Sequence, residues 1–289
     1  MRFGVHLPNF GPLSDPAALV AVAREAEAAG WDGLFVWDHI AWDNGRVPMA
    51  DPWIALAAIA ASTTRIRLGA LITPLARRRP WKVARETVTL DQLSAGRLVL
   101  GAGLGWRAGL EFAPFGEATG DRVRAERLDE SLAIVDGLWT GEPFSFAGTH
   151  YRVDDAQFLP RPVQSPRIPI WIAGLLPHRR PFVRAARWDG AFPERRAGGT
   201  PTPAEVAALG SFIAVQRASA APAGGQVPRL DPFDIVVGGV SVPGRPLAGH
   251  DAYAAAGLTW WLERIDPGAD LSVPATLTRV CAGPPRPVA

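Results

Sequence analysis

Cysteine and lysine are nearly absent from this chain of 289 residues, which holds one of each, Cys281 and Lys82. A lone cysteine closes no internal disulfide and lacks the companions of a zinc or iron–sulfur site, so a reducing compartment, the cytosol, is expected. With a single lysine the positive charge is carried by arginine, and a pI of 9.2 accompanies a formal charge of only +2. That is a composition bias more than a nucleic-acid signature. Long apolar runs are missing too. The longest, Trp53–Ala61 (WIALAAIAA), is far short of the ~20 residues that cross a bilayer, and Met1–Pro8 alternates like a short strand with no apolar targeting stretch. A soluble protein with neither membrane nor nucleic-acid partners is therefore expected. Also absent are a carboxylate pair, a nucleophile elbow, an HExxH helix and a Walker loop, which leaves hydrolase and kinase chemistry poorly supported. A cofactor is expected to carry the reaction, with no metal.

What is present, 48% apolar and 20% charged residues with 30 Gly and 28 Pro, suits a globular chain with a large core. At ~150 residues per domain two domains would be the simple guess, but α/β barrels run to ~250 residues as one. Periodicity decides between them. Short apolar β runs alternate with amphipathic helices: strands at Arg2–Leu7, Gly33–Trp37, Ile66–Thr73, Arg97–Ala102, Ile168–Ala173, Gly190–Phe192, Phe233–Gly238 and Leu258–Glu263. The intervening helices are Asp15–Ala29 (N-cap Ser14), Asp51–Ser62, Trp81–Leu93, Asp121–Leu138, His178–Arg187, Pro203–Arg217, Asp251–Ala256 and Leu271–Val280. A hairpin is expected within Phe144–Phe158, turned at Gly148, and a flexible loop over Ala218–Arg229. Eight strands, each followed by a helix, predict one (β/α)8 TIM barrel over residues 1–281, with a frayed tail over 282–289.

In such a barrel the chemistry lies after the strands, at their C-terminal ends. After strand two stands Trp37-Asp38-His39-Ile40-Ala41-Trp42. An acid beside an imidazole, bracketed by aromatic rings, suits proton transfer next to a planar ligand; equally, Asp38 caps the loop and His39 is a packed imidazole. After strand four, Gly101-Ala102-Gly103-Leu104-Gly105-Trp106 lets backbone N–H groups approach a ring or phosphate, or is a plain turn. After strand five, Ala173-Gly174-Leu175 leads to His178-Arg179-Arg180, a phosphate seat or a solvated helix start. Arg77-Arg78-Arg79 with Arg85 forms the densest positive patch, either an anion site or exposed surface. Trp42, Trp53, Trp106, Trp260 and Trp261 near loop ends are candidates to wall a flat pocket, or core.

Several ordered segments carry a resemblance: Arg65–Pro74 (RIRLGALITP), Leu90–Gly105 (LDQLSAGRLVLGAGLG), Glu111–Gly116 (EFAPFG), Leu138–Pro143 (LWTGEP), Pro160–Gly174 and Trp188–Gly190. Across nearly the whole chain these resemble the bacterial-luciferase-like family of flavin- and deazaflavin-dependent oxidoreductases. The resemblance implies a TIM barrel with short insertions, assembled as a homodimer, into which the apolar Trp53–Ala61 face would fit. It implies a planar cofactor, FMN or coenzyme F-420, against a cis bulge at Ala70–Leu71, flanked by Gly103, Leu104 and Gly105 and by Ala173, Gly174 and Leu175, with Arg179 toward the phosphate. His39 would donate or orient a proton, Asp38 would position it, and Trp42 and Trp106 would shape the substrate pocket. The Asp38-His39 pair is similar to that of F-420 members. Leu104 and Leu175 stand where FMN members often carry an arginine and a hydroxyl, and Arg124 or Arg179 would have to compensate. These features lean toward F-420-dependent hydride transfer to a small organic substrate, the Arg77–Arg79 patch taking the coenzyme's anionic tail. An FMN monooxygenase inserting oxygen from O₂, fed by a separate reductase, and a non-catalytic flavin-binding barrel are the alternatives. The carboxylate that sugar-phosphate-oxidising members place after strand four is expected to be absent, Trp106 and Arg107 occupying that region.

Overall fold

The computed structural model describes residues 1–219 and 231–287. Eleven strands and nine α-helices follow one another among these: β1 Arg2–Leu7, α1 Pro16–Ala28, β2 Gly33–Val36, α2 Pro52–Ser62, β3 Arg67–Ala70, β4 Thr73–Pro74, α3 Pro80–Leu93, β5 Leu100–Gly103, α4 Ala108–Glu111, α5 Asp121–Trp139, β6 Phe144–Ala147, β7 Arg152–Ala156, β8 Ile170–Leu176, α6 Arg180–Ala185, β9 Gly190–Arg195, α7 Pro203–Ser219, β10 Asp234–Gly239, α8 His250–Ala255, β11 Trp260–Arg264 and α9 Val273–Cys281. The nine strands other than the β6–β7 hairpin form one parallel sheet in the order β3-β2-β1-β11-β10-β9-β8-β5-β4. Its two ends are halves of one interrupted strand, and a bridge from Leu68 to Leu98 links β3 to the run leading into β5, so the sheet curls into the expected eight-unit barrel.

The pleat sorts the side chains of each strand into two separate cores. One parity, with Val5, Leu7, Leu34, Val36, Ile170 and Ile172 among its members, meets the helices; the other fills the barrel with Phe35, Leu71, Val99, Trp171, Phe192, Val236, Trp260 and Leu262. Trp171 and Trp260 are completely buried there, their ring centroids 5.5 Å apart. Burial of each such side chain stabilises by ~3 kcal/mol. Large rings in a narrow barrel require small neighbours. A Cβ at Gly69 would lie 2.2 Å from the Val99 carbonyl oxygen, and one at Gly101 would lie 2.4 Å from that of Ala70.

Helix starts follow local chemistry. Pro52 opens α2 while Asp51 accepts hydrogen bonds from the Trp53 and Ile54 amides, both at 2.9 Å. In α1 the cap is Asp15, which accepts from Ala17 N at 2.9 Å, and not Ser14 as expected. Strand ends also shift: β8 runs three residues past Ala173, to Leu176, and β9 continues from Phe192 to Arg195, because each pairs with the other along six positions. The loop expected over Ala218–Arg229 falls, beyond Ser219, outside the described residues. At the start of the tail the Leu247 amide donates to Pro285 O at 2.9 Å, and the Arg286 guanidinium reaches Asp32 at 2.8 Å. No helix among the described residues is long and apolar enough to cross a membrane.

Candidate active site

The third strand is interrupted where its partner changes. β3 pairs with β2 through Ala70, and Leu71 N still donates to Val36 O at 2.9 Å; Thr73 and Pro74 then pair with Ala102 and Gly103 of β5. The cis peptide lies between, at Leu71–Ile72, one residue beyond the expected Ala70–Leu71. Ala70 packs outward among the helices, whereas Leu71 and Ile72 belong to the barrel interior. Gly103 faces the same floor: a Cβ there would meet Ile72 at 2.5 Å and Ala173 at 3.5 Å.

Immediately after β2 comes a charged cluster. Asp38 is 4% exposed; its Oδ1 accepts from Arg77 Nη2 at 2.8 Å and its Oδ2 from Trp53 Nε1 at 3.1 Å. The other end of the Arg77 fork donates to Glu111 Oε2 at 2.6 Å, and Glu111 Oε1 accepts from His39 Nδ1 at 2.5 Å. Glu111 is 1% exposed. One guanidinium thus bridges two buried carboxylates, a geometry that suits its planar fork and is closed to lysine. Because an ionised carboxylate only accepts, His39 must carry its proton on Nδ1 toward Glu111, leaving Nε2 as the nitrogen available for chemistry.

This arrangement corrects one expectation and brings in a residue that the sequence reading did not single out. The Arg77–Arg79 run is not an open anion seat: Arg77 is buried in the cluster, Arg78 pairs with Glu86 at 2.5 Å and Asp38 at 3.5 Å, and Arg79 lies over the Trp81 ring. Trp106 and Arg107 do occupy the turn after β5, and a carboxylate from further along, Glu111 of α4, reaches back to His39. Sequence spacing missed it because Glu111 follows β5 by eight residues and reaches the site through a turn in which Arg107 has φ 48°.

Around His39 several aromatic rings come together. Trp42 stacks on Phe10 with centroids 4.5 Å apart, meets His39 edge-on at 5.2 Å and stands 6.2 Å from Trp106. Trp106 is 58% exposed, and Arg107 lies over both indoles. Trp37 joins them, 5.7 Å from His39. Trp53, Trp260 and Trp261 are core residues instead.

The remaining candidates separate by direction. Leu175 is on the inward parity and 40% exposed, whereas at Gly174 a Cβ would collide with Pro181 and Phe182, so this glycine lets α6 pack on β8. Leu104 packs against the outer core. Arg124 donates to the Leu104 and Gly105 carbonyls at 3.1 and 3.0 Å, pinning that loop from behind, and Gly105 turns it at φ 82°. The Arg179 guanidinium lies 4.6 Å over the Phe212 ring of α7.

Two further inward residues border the mouth. His6 offers Nε2 to Leu71 O at 3.1 Å, and burial, reinforced by the charge of Arg264, lowers its pKa to about 3. Its Nδ1 and the Trp37 indole N–H are buried and make no hydrogen bond among the described residues. Such orphaned polar atoms beside the Leu71–Ile72 floor and the flat Gly103 fit a planar heterocycle with hydrogen-bonding edges.

The sequence model of luciferase-like monooxygenases matches residues 1–193. An "F420-dependent glucose-6-phosphate dehydrogenase" of Nakamurella multipartita is 38% identical over 179 residues, 60% of this chain and 50% of that protein. The chain therefore spans about half the length of the curated relatives it matches. Among solved structures, an F420-dependent secondary alcohol dehydrogenase in complex with an F420-acetone adduct superposes with a TM-score of 0.73 at 17% identity, covering 97% of this chain and 98% of that one. The monooxygenase RslO1 of Streptomyces bottropensis gives 0.69 at 23% identity, over 98% and 80%. At these identities the structural matches speak to the fold.

Proposed function

We propose a function from one premise, that the chain belongs to the luciferase-like monooxygenase family: it is an oxidoreductase of that family, using coenzyme F-420 in hydride transfer to or from a small organic substrate. The observation that carries this reading is His39, fixed on Nδ1 by buried Glu111 and presenting Nε2 at the barrel mouth. The F420-dependent name of the 38% identical relative supports the choice of cofactor. When bound, a deazaflavin supplies two-electron hydride chemistry. Leu71, Ile72 and Gly103 would hold its ring, with Ala173 and Leu175 on the adjoining wall; Leu104, Gly105, Gly174 and Arg179 would serve its side chain and phosphate.

The protein's own part is acid–base work and enclosure. His39 Nε2 accepts a proton from a substrate hydroxyl, or returns one to a carbonyl oxygen in the reverse direction. Glu111 sets the tautomer and stabilises the imidazolium that forms, Arg77 holds Glu111 in place, and Asp38 holds Arg77. Trp37, Trp42 and Trp106 keep water from the reacting atoms. An FMN-dependent oxygenation is the second reading, in keeping with the monooxygenase name of the family model; it would call for a separate reductase. A cytoplasmic homodimer completes the proposal, the 68% exposed Ile54 on α2 being available to a second copy.

Titration with F-420 and with FMN, followed by tryptophan quenching, tests the cofactor. Quenching by F-420 at low micromolar concentration is expected; FMN binding without F-420 binding would overturn the choice. His39→Ala should retain F-420 affinity while abolishing reduction of the coenzyme by a panel of secondary alcohols. Unchanged reduction would remove His39 from the chemistry.

A further inference from the structure

The inward parity of the barrel continues above its apolar floor. On β9 it runs Gly190, Phe192, Glu194, with the Phe192 ring inside the barrel. On β11 it runs Trp260, Leu262, Arg264. Glu194 therefore points into the mouth, beside Leu175 of β8, with which it pairs in register. Its carboxyl lies within electrostatic reach of Arg264 and Asp266, and of His39 whenever that ring takes up a second proton. Crowding by the barrel wall raises its pKa, although the side chain remains open to water.

Glu194 makes no hydrogen bond or ion pair among the described residues, while the neighbouring cations have partners of their own. Arg264 pairs with Asp266 at 3.0 Å, Arg195 with Glu205 at 3.4 Å, and Arg196 donates to His178 at 3.2 Å. An unpartnered carboxyl on the wall of a concave site recognises a hydrogen-bond donor and repels an anion.

Resting on the F-420 reading above, we propose that Glu194 is a specificity residue, which accepts a hydrogen bond from a hydroxyl of a neutral substrate and excludes phosphate esters from the mouth. The substrate class is an uncharged hydroxyl compound or the corresponding carbonyl. It departs in this respect from the sugar phosphate in the name of the 38% identical relative.

The test compares the full chain with Glu194→Gln and Glu194→Leu, each loaded with F-420, by calorimetric titration with inorganic phosphate, glucose 6-phosphate and cyclohexanol. Glu194→Gln should bind both phosphate probes about tenfold more tightly than the parent, the size of one relieved like-charge contact at a water-accessible wall. Cyclohexanol should bind the parent and Glu194→Gln within about threefold of each other and Glu194→Leu about tenfold more weakly. Equal phosphate affinity in parent and Glu194→Gln, including no detectable binding to either, overturns the assignment. Loss of F-420 binding by the parent would instead overturn the cofactor choice, which the loading step reads separately.

Discussion

Replacing Glu111 by glutamine probes the arrangement on which the proposed chemistry depends. Glu111 is 1% exposed and accepts two charge-assisted hydrogen bonds, 2.6 Å from Arg77 Nη1 and 2.5 Å from His39 Nδ1. Glutamine keeps the shape and supplies one carbonyl oxygen and one NH₂. If the oxygen stays on the guanidinium, the NH₂ faces His39 and forces Nδ1 to become an acceptor, moving the imidazole proton to Nε2. If the oxygen turns to His39, NH₂ faces guanidinium and one charged contact becomes repulsive. Arg77 retains Asp38, so one charge-assisted bond is lost, about 1.5–3 kcal/mol of stability in urea unfolding. With Nε2 protonated in the neutral ring, the base is blocked, and coenzyme reduction should fall ~10²–10⁴-fold while F-420 affinity holds. Long-range ¹H–¹⁵N correlation spectra read the tautomer directly: Nδ1–H in the parent, Nε2–H in the variant. An unchanged His39 tautomer together with unchanged turnover would refute the reasoning.

Other consequences are independent of turnover. Arg77→Met strands two buried carboxylates, Asp38 and Glu111; destabilisation by about 3–5 kcal/mol is expected in urea, with no recovery in Arg77→Lys because an ammonium cannot bridge both. Gly69→Ala sets a Cβ 2.2 Å from the Val99 carbonyl oxygen, and should cost about 3 kcal/mol or more or abolish soluble expression. The depressed pKa of His6, about 3 against 6.5 unfolded, means that between those values the unfolded chain binds a proton that the native chain does not. Stability should therefore fall as pH drops from about 6.5 toward 3, and His6→Asn should flatten this slope in urea midpoints. Asp136, raised by burial from 3.8 to about 6, acts oppositely, contributing stability below pH 3.8 that is lost as pH rises through about 6. The difference between parent and His6→Asn isolates the histidine.

Most of the fold was legible because barrel strands are short, apolar and regularly spaced. The expected elements recur within a few residues of their observed ends, and the hairpin turns near Gly148 as expected. Boundaries moved where pairing decided them, as in β9, whose last residues Glu194 and Arg195 read as loop yet pair with Leu175 and Leu176. Within the site, Asp38, His39, Trp42 and Trp106 are brought together as adjacent sequence suggested. Arg77 was singled out for a different role, and Glu111, His6, Glu194 and Arg264 were passed over. For the last three the signal was available: continuing the period-two alternation past each strand's apolar end places all of them inward.

Composition and periodicity alone determined an eight-unit α/β barrel, the end of it where the candidate site lies, and the Asp-His pair standing there, since each follows from local spacing. Whether Arg77 was a surface cation or a buried bridge could only be decided by the tertiary structure, because its partners Asp38 and Glu111 lie 39 and 34 residues away. The same long-range closure turned His39 from an imidazole next to an acid into one oriented by a different acid. A charge on a strand end has no assigned role until the barrel closes and sets what faces it.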